Sequence, residues 1–306
     1  MSAEHNGPAV VRLAHFSDVH LSADPLGWRG ADWLGKRVSG WMNLRLFGRA
    51  RRFARAEEVV AALMAELRDE PPDRVVFSGD ATALGFEAEC ARAASLLGLA
   101  GAEPLPGLAV PGNHDYYVPR DSRAGHFERH FAPWLTGERV DEAVYPFAQR
   151  VGPLWLVAVN TSAPTRLPWD ASGRTGDEQL GRLGRLLGRL SPGPRILVTH
   201  YPICRDSGRA ERPSRSLRDL TRLVDVAARG GVGLWLHGHR HGWYYHANPG
   251  QAPFPVICAG SATQRGCWSY LRYTIEGSRF TALRREFDPV GGAFRDAGTF
   301  ALELTV

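Results

Sequence analysis

The 306-residue sequence predicts an α/β fold with parallel strand pairing through the middle of the chain. Short apolar runs bounded by polar or turn residues are typical of buried strands. They occur at residues 11–16, 75–77, 108–110, 154–159, 196–198, 232–236 and 256–259. Between them, apolar residues recur at helical spacing at residues 59–67, 180–190 and 217–227. Alternating strands and helices favour an α/β arrangement.

The last part of the chain has a different pattern. From residue 270 to residue 306, strand and turn signals alternate, with turns indicated at Glu276-Gly277-Ser278 and at residues 289–292. This pattern predicts antiparallel strands added at a sheet edge. With no internal repeat and no low-complexity linker, we expect one domain over residues 1–306, with a basic aromatic insertion at about 24–55 and a β-rich extension at about 262–306.

Composition narrows the class of protein without identifying a function. The chain is 44% hydrophobic and 23% charged, which is typical of a globular protein. Its net charge of +5 suits a polyanionic substrate, a nucleic acid or an acidic membrane surface. Four scattered cysteines indicate reduced thiols, and we read none of them as a metal ligand. We find no secretory signal and no apolar run of ~20 residues, and therefore expect a cytoplasmic protein, with peripheral attachment to the inner membrane as the alternative.

Five polar clusters follow the predicted strands. They are Asp18-Val-His20, Gly79-Asp80, Gly112-Asn113-His114-Asp115, Thr199-His200 and Gly238-His239-Arg240-His241. Residues that follow the strands of an open α/β sheet meet at one crevice, and residues two apart in extended chain point the same way. Carboxylate, amide and imidazole groups without a thiolate suit divalent Mn, Fe, Zn, Co or Mg. The clusters therefore predict a site for two divalent metal ions.

The clusters, in this order, resemble the motifs of the calcineurin-like metallophosphoesterase superfamily, and the resemblance extends from Asp18 to His241. It implies two packed mixed β-sheets flanked by helices, a four-layer α/β/β/α sandwich. It also implies one ion on Asp18, His20 and His241, the other on Asn113, His200 and His239, and Asp80 between the two. In such enzymes a hydroxide shared by the metals attacks phosphorus. His114 would then protonate the departing oxygen as a general acid or stabilise it as a cation, and Asp115 would orient His114.

The remaining histidines have less specific interpretations. His15 and His237 lie outside the family's motifs, and we expect structural roles for them. His126 and His130 are four residues apart and could share a helix face as metal ligands, but surface or packing roles are favoured. His246 has no partner that the sequence identifies.

The insertion at residues 24–55 combines five large aromatic residues with eight basic ones and only two acids. It could close a small subdomain with a solvated arginine face. Alternatively, residues 28–55 could form a lid or a peripheral membrane contact, in which aromatic side chains meet acyl chains and arginines meet phosphates. Residues 36–44 also resemble a segment of bacterial relatives similar to the lipid A pathway enzyme that cleaves UDP-2,3-diacylglucosamine.

The sequence thus predicts a metal-dependent phosphohydrolase that cleaves a phosphodiester or pyrophosphate bond in a phosphorylated small molecule or lipid-linked nucleotide. A UDP-2,3-diacylglucosamine-like pyrophosphate and a cyclic nucleotide are the two substrate classes we favour. Nucleic acid is the least favoured partner, and no protein partner is evident. The rival from another class is a catalytically inactive scaffold with the same fold, which would be expected to have lost ligands.

Overall fold

The computed structural model describes residues 10–33 and 35–304, which contain two six-stranded mixed β-sheets. In chain order the strands are β1 (Val10–Phe16), β2 (Arg74–Phe77), β3 (Gly107–Ala109), β4 (Phe147–Val151), β5 (Leu154–Ala158), β6 (Arg195–Val198), β7 (Val232–His237), β8 (Tyr244–His246), β9 (Val256–Cys258), β10 (Ser269–Glu276), β11 (Arg279–Asp288) and β12 (Ala293–Glu303). One sheet has the order β12-β11-β10-β1-β2-β3, and the other has the order β4-β5-β6-β7-β9-β8.

Strand direction follows the sequence prediction in both sheets. The pairs β1–β2 and β2–β3 are parallel, as are β5–β6, β6–β7 and β7–β9. The C-terminal strands β10, β11 and β12 pair antiparallel and extend the first sheet from its β1 side. The antiparallel edge strands β4 and β8 were not predicted. β4 carries Gln149 and Arg150 among its five residues, and β8 has only three residues, so neither presents a continuous apolar run.

Eight α-helices of the described residues connect the strands. They are α1 (Lys36–Leu46), α2 (Arg49–Arg52), α3 (Ala56–Asp69), α4 (Glu87–Leu96), α5 (Pro119–Ala124), α6 (His126–His130), α7 (Asp177–Arg189) and α8 (Leu220–Arg229). The three predicted apolar faces lie on α3, α7 and α8, although α8 begins after Leu217. The sequence pattern missed α4 because its buried face is formed by alanine, cysteine and a glutamate.

The core lies between and outside the two sheets. One apolar cluster joins Phe16 and Phe77 of the first sheet to Ile196 and Leu236 of the second, and it includes the buried face of α3. A second cluster packs α7 and α8 against the outer face of the second sheet. The result is the predicted arrangement of two mixed sheets flanked by helices. Among the described residues, no helix has both the length and the apolar character needed to cross a bilayer.

Glu89 is a fully buried carboxyl group in the first turn of α4. Its Oε2 accepts hydrogen bonds from the backbone N–H groups of Leu84, at 2.9 Å, and Phe86, at 3.1 Å. Burial, which penalises the charged form, raises the pKa of Glu89 to about 7 from an ordinary value of 4.5. The folded protein therefore holds this proton at pH values where the unfolded chain has lost it.

We expect Glu89→Gln to flatten the pH dependence of stability. Between pH 4.5 and about 7 the folded state binds more protons than the unfolded state, so the free energy of unfolding falls as pH rises through this window. For wild type, the free energy of unfolding should fall by on the order of 3 kcal/mol across this pH window. Urea denaturation of the chelator-treated protein at pH 5 and pH 8 measures it. The difference in the free energy of unfolding between wild type and Glu89→Gln should be smaller at pH 8 than at pH 5 by that amount. The exposed substitution Glu103→Gln should leave the wild-type pH dependence unchanged. A parallel pH dependence in Glu89→Gln would contradict this assignment.

Candidate metal centre

The backbone is left-handed at four residues that follow strands. Asp18, His20, Asp80 and His239 have φ values of 55°, 44°, 59° and 65°, and they are the only non-glycine residues with positive φ in the described part of the chain. Such a conformation costs of order 1–3 kcal/mol per residue and is concentrated at functional sites. All four belong to the sequence-predicted ligand set, so the surrounding contacts hold these loops in shapes that serve their side chains.

Backbone hydrogen bonds join the loops after β1 and β2. The N–H of Asp18 donates to the carbonyl of Gly79 at 2.9 Å, and the N–H of His20 donates to the carbonyl of Asp80 at 3.0 Å. The loop after β7 is fixed to the first sheet in turn, because the N–H of His239 donates to Asp18 Oδ2 at 3.0 Å. These bonds bring the carboxyl ends of strands from both sheets to one place.

Two groups of three side chains converge there, and Asp80 lies between them. In the first group, Asp18 Oδ1 is 3.7 Å from His20 Nε2 and 3.4 Å from His241 Nε2. In the second, Asn113 Oδ1 is 3.2 Å from His200 Nε2 and 2.9 Å from His239 Nδ1. Asp80 Oδ2 lies 3.6 Å from His20 Nε2 and 3.5 Å from His200 Nε2. All seven predicted ligands are therefore brought together, in the grouping that the resemblance implies.

The atoms in each group are a set of electron-pair donors that suits a cation. The ring nitrogens His20 Nε2 and His241 Nε2 are 3.2 Å apart, and His200 Nε2 and His239 Nδ1 are 3.3 Å apart. His20 Nδ1 faces the carbonyl of Thr82 at 3.2 Å, and His200 Nδ1 faces that of Ser78 at 2.8 Å. A ring proton at each Nδ1 leaves the lone pair of Nε2 aimed at the centre, which is the usual arrangement of metal-binding histidines.

The carboxylates complete this fit. Asp18 Oδ1 is buried and has no hydrogen-bond donor within the described chain. Burial opposes ionisation of Asp18, but its contacts with His20 and His241 outweigh that effect and hold its pKa well below the usual range. For Asp80, burial likewise opposes ionisation, and its electrostatic interactions with the His200, His114 and His20 rings lower its pKa despite that burial. Buried ionised oxygens beside free imidazole lone pairs are donors that borderline and hard divalent ions accept.

The contacts of Asp115 correct its predicted role. Its carboxylate accepts hydrogen bonds from the backbone N–H groups of Gly112, Asp80 and Thr82 at 2.8, 2.9 and 3.0 Å, and no hydrogen bond joins it to the His114 ring. Asp115 therefore braces the loops that carry Asp80 and Asn113.

The orientation of the His114 ring comes from other groups. Its Nδ1 is 2.6 Å from the carbonyl of Ala83, and its Nε2 is 3.0 Å from Nη2 of Arg49. Since Nδ1 donates to the carbonyl, Nε2 accepts the Arg49 proton, and the imidazole in this arrangement is neutral. Sequence reasoning missed both Arg49 and Gln264, whose Oε1 contacts His241 Nδ1. The basic run around Arg49 was visible in the sequence, but nothing in it marked this particular arginine.

The other histidines of the described residues have structural contacts. His15 is buried, with its ring nitrogens 2.9 Å from Tyr273 Oη and 2.9 Å from Ser78 Oγ. His237 Nδ1 is 2.9 Å from the carbonyl of Gly238. His126 and His130 both face Glu87, at 3.6 and 3.8 Å, on the surface away from the seven ligands. His246 Nε2 is 3.2 Å from the carbonyl of Arg205.

The centre opens into a cavity of about 590 Å³. Its walls carry parts of the insertion, the metal loops and the loops after β6 and β7. The lining includes Asn43, Phe47, Arg49, Arg52, Phe53, Asp80, Asn113, His114, Ala171, Asp206, Arg215, His239, Arg240, His241, Gly242 and Gln264.

Solved structures show the same fold at low sequence identity. A dimetal phosphatase from Danio rerio aligns at 13% identity over 96% of this chain and 99% of its own, with a TM-score of 0.65. A purple acid phosphatase from yellow lupin (Lupinus luteus) seeds aligns at 15% identity over 97% of this chain but 54% of its own, with a TM-score of 0.61. GAP50, described as the anchor in the inner membrane complex of Plasmodium, aligns at 11% identity over 97% of this chain and 90% of its own, with a TM-score of 0.57.

The family itself is identified by the sequence. No curated protein sequence matches the chain. The model of the calcineurin-like phosphoesterase family, however, matches residues 11–243, which include all five polar clusters. The chain therefore belongs to the calcineurin-like phosphoesterase family.

Proposed function

We propose that this protein is a dinuclear-metal phosphohydrolase that cleaves a phosphodiester or pyrophosphate bond. The observation that carries the proposal is the pair of three-residue donor groups with Asp80 Oδ2 within 3.6 Å of a histidine in each. Asp18, His20 and His241 would hold one divalent ion and Asn113, His200 and His239 the other, with Asp80 shared. Two such ions would lower the pKa of a water molecule and neutralise charge on the phosphoryl oxygens.

The chain's own residues place a positive charge beside the centre. The carbonyl of Ala83 fixes the His114 ring, and the ring nitrogen Nε2 holds the Arg49 guanidinium at 3.0 Å. Arg49 also lines the cavity. In this arrangement the Arg49 guanidinium would supply the positive charge that stabilises the departing oxygen, and His114 positions it. A fixed cation placed where negative charge develops stabilises the transition state.

A group of arginines favours pyrophosphate substrates. Arg49, Arg52 and Arg215 all line the cavity. Burial lowers the pKa of Arg49, and the nearby charges of Arg215 and Arg52 lower it further. Within the described residues, no carboxylate lies within 4.0 Å of any of the three guanidinium groups. Unpaired guanidinium groups in a cavity bind phosphate oxygens strongly. A substrate with a second phosphate beside the scissile one uses these arginines, whereas a cyclic nucleotide has one phosphate only.

Replacing Asp80 tests the shared carboxylate. We expect Asp80→Asn to lose both ions and to hydrolyse bis-p-nitrophenyl phosphate with added Mn(II) at least ~10³-fold more slowly, because the amide removes the anionic charge between the donor groups. Metal analysis of the purified protein and steady-state rates measure the two effects. The matched control, Asp141→Asn, changes an exposed carboxylate and should keep two ions per chain. An Asp80→Asn protein that keeps two ions would contradict the sharing of Asp80. A wild type that binds less than one ion per chain, or that holds two ions and cleaves neither a diester nor a pyrophosphate, would favour the scaffold interpretation.

Asp115→Asn tests the corrected role of Asp115. An amide has one acceptor oxygen and cannot accept all three backbone N–H groups, so the loops of Asp80 and Asn113 loosen. We expect metal affinity to fall by about 10–100-fold, as measured by competition with a chelator. Asp219→Asn is the control, since Asp219 accepts N–H groups of Thr175, at 3.0 Å, and Gly176, at 2.8 Å, away from the ligands. Equal losses in the two variants would contradict the assignment.

Arg215→Gln tests the preference for pyrophosphate. Losing one charged hydrogen bond to a second phosphate should raise KM for a nucleoside diphosphate ester such as UDP-glucose by about 10–100-fold. The increase in KM for bis-p-nitrophenyl phosphate should be smaller, since that diester has only one phosphate. Arg212→Gln is the control, because Arg212 directly precedes the 3-10 turn Pro213–Arg215 but does not line the cavity. If Arg215→Gln raises KM equally for both substrates, the proposed binding site for a second phosphate is wrong.

A further inference from the structure

Exposed apolar side chains are concentrated on two segments. Among the described residues, ten large apolar side chains are exposed, and four of them lie in the insertion while two lie in the loop before Asp170. These six are Trp33 (56% exposed), Met42 (40%), Leu46 (67%), Phe47 (75%), Leu167 (48%) and Trp169 (70%). Single exposed apolar residues are common, but a cluster of this kind marks an interaction surface.

The two segments lie together at the mouth of the metal-site cavity. Lys36 Nζ, at the start of α1, donates to Thr165 Oγ1 at 2.5 Å and to the carbonyl of Asp170 at 3.0 Å. The loop is thereby fixed to the first turn of α1. Phe47, just after α1, and Ala171, just after the loop, both line the cavity. We call the exposed side chains of residues 33–52 and 166–169 the mouth surface.

The charge of the mouth surface is entirely positive in its helical part. Residues 36–52 contain one lysine, five arginines and no aspartate or glutamate, and of these Lys36 and Arg37 are buried. Arg45, Arg51 and Arg52 are exposed, and no carboxylate within the described ranges lies within 4.0 Å of their guanidinium groups. Arg166 is exposed beside Leu167 on the neighbouring loop. Apolar side chains and unpaired guanidinium groups are therefore interleaved.

This chemistry fits a lipid surface with anionic headgroups. Leucine, methionine and phenylalanine side chains enter the acyl region, tryptophan prefers the boundary between acyl chains and water, and arginine binds lipid phosphates. α1 has 11 residues, which suits a helix lying along the interface. A partner protein would need a matching acidic and apolar face, whereas an anionic bilayer supplies both features at every position.

We propose that the mouth surface docks this protein on anionic lipid bilayers, with the opening of the metal-site cavity at the headgroup layer. The docking depends on exposed residues of the insertion and the adjoining loop. It goes beyond the proposed hydrolytic function and does not require that function to be correct.

Vesicle binding tests the docking directly. The full-length protein is sedimented with vesicles of phosphatidylcholine containing about one quarter phosphatidylglycerol, and with vesicles of phosphatidylcholine alone. We expect binding to the anionic vesicles and much weaker binding to the neutral ones. The double variant Leu46→Ser, Phe47→Ser should bind at least ~10-fold more weakly, because it removes two apolar side chains from the acyl region. Arg45→Gln and Arg51→Gln should each weaken binding by about fivefold.

The control is Val290→Ser, which alters a side chain that is 94% exposed in the turn between β11 and β12. It should bind like wild type, and thermal unfolding should show that every variant is folded. No binding of wild type to anionic vesicles, or equal losses in Val290→Ser and the double variant, would overturn the proposal. So would self-association of wild type that the double variant abolishes while vesicle binding is unchanged. The assay needs no turnover, so its failure and the failure of the hydrolytic function are separate results.

Discussion

The structure depends on two carboxylates, Asp18 and Asp80, that are buried where the two sheets meet. Burying an ionised group costs several kcal/mol unless opposite charge and hydrogen bonds compensate it. Here one oxygen of each carboxylate accepts a backbone N–H, from His239 to Asp18 Oδ2 at 3.0 Å and from His114 to Asp80 Oδ1 at 2.7 Å. The other oxygen of each faces imidazole nitrogens at 3.4–3.7 Å, and Asp18 Oδ1 has no donor in the described chain. A pair of divalent cations would remove the repulsion between the carboxylates and bind the inward-facing lone pairs. The left-handed backbone at Asp18, His20, Asp80 and His239 lies in the same loops and directs these four side chains toward one place.

Two glycines of the sequence motifs are required by this close packing. A Cβ on Gly112 would lie 2.1 Å from Asp80 Oδ1 and 2.3 Å from the Asp80 backbone nitrogen. A Cβ on Gly238 would lie 1.9 Å from Ser17 Oγ and 2.6 Å from Asp18 Oδ2. Real Cβ contacts are never so short, so a side chain at either position would push a carboxylate out of place. The glycines therefore belong to the metal centre although they contribute no ligand atom.

Most of the fold and the convergence of the ligands could be predicted from the sequence, because buried strands leave apolar runs and the ligands follow those runs directly. The edge strand β4 could not, since Gln149 and Arg150 interrupt its pattern. Contacts that arise only on folding were also hidden. Arg49 is 65 residues from His114, and Asp115 accepts a hydrogen bond from Asp80, 35 residues earlier in the chain. No local spacing rule connects such residues, so the roles of His114 and Asp115 had to be read from geometry.

We propose that the seven side chains hold two cations that share Asp80. Electron paramagnetic resonance of the metal-free protein titrated with Mn(II) tests this most directly, because two Mn(II) ions at the ~3.5–4 Å separation of two-metal sites are magnetically coupled. At two equivalents we expect the spectrum of a coupled pair, with little signal from isolated ions. Saturation at one equivalent, or a spectrum of uncoupled Mn(II) at two equivalents, would contradict it.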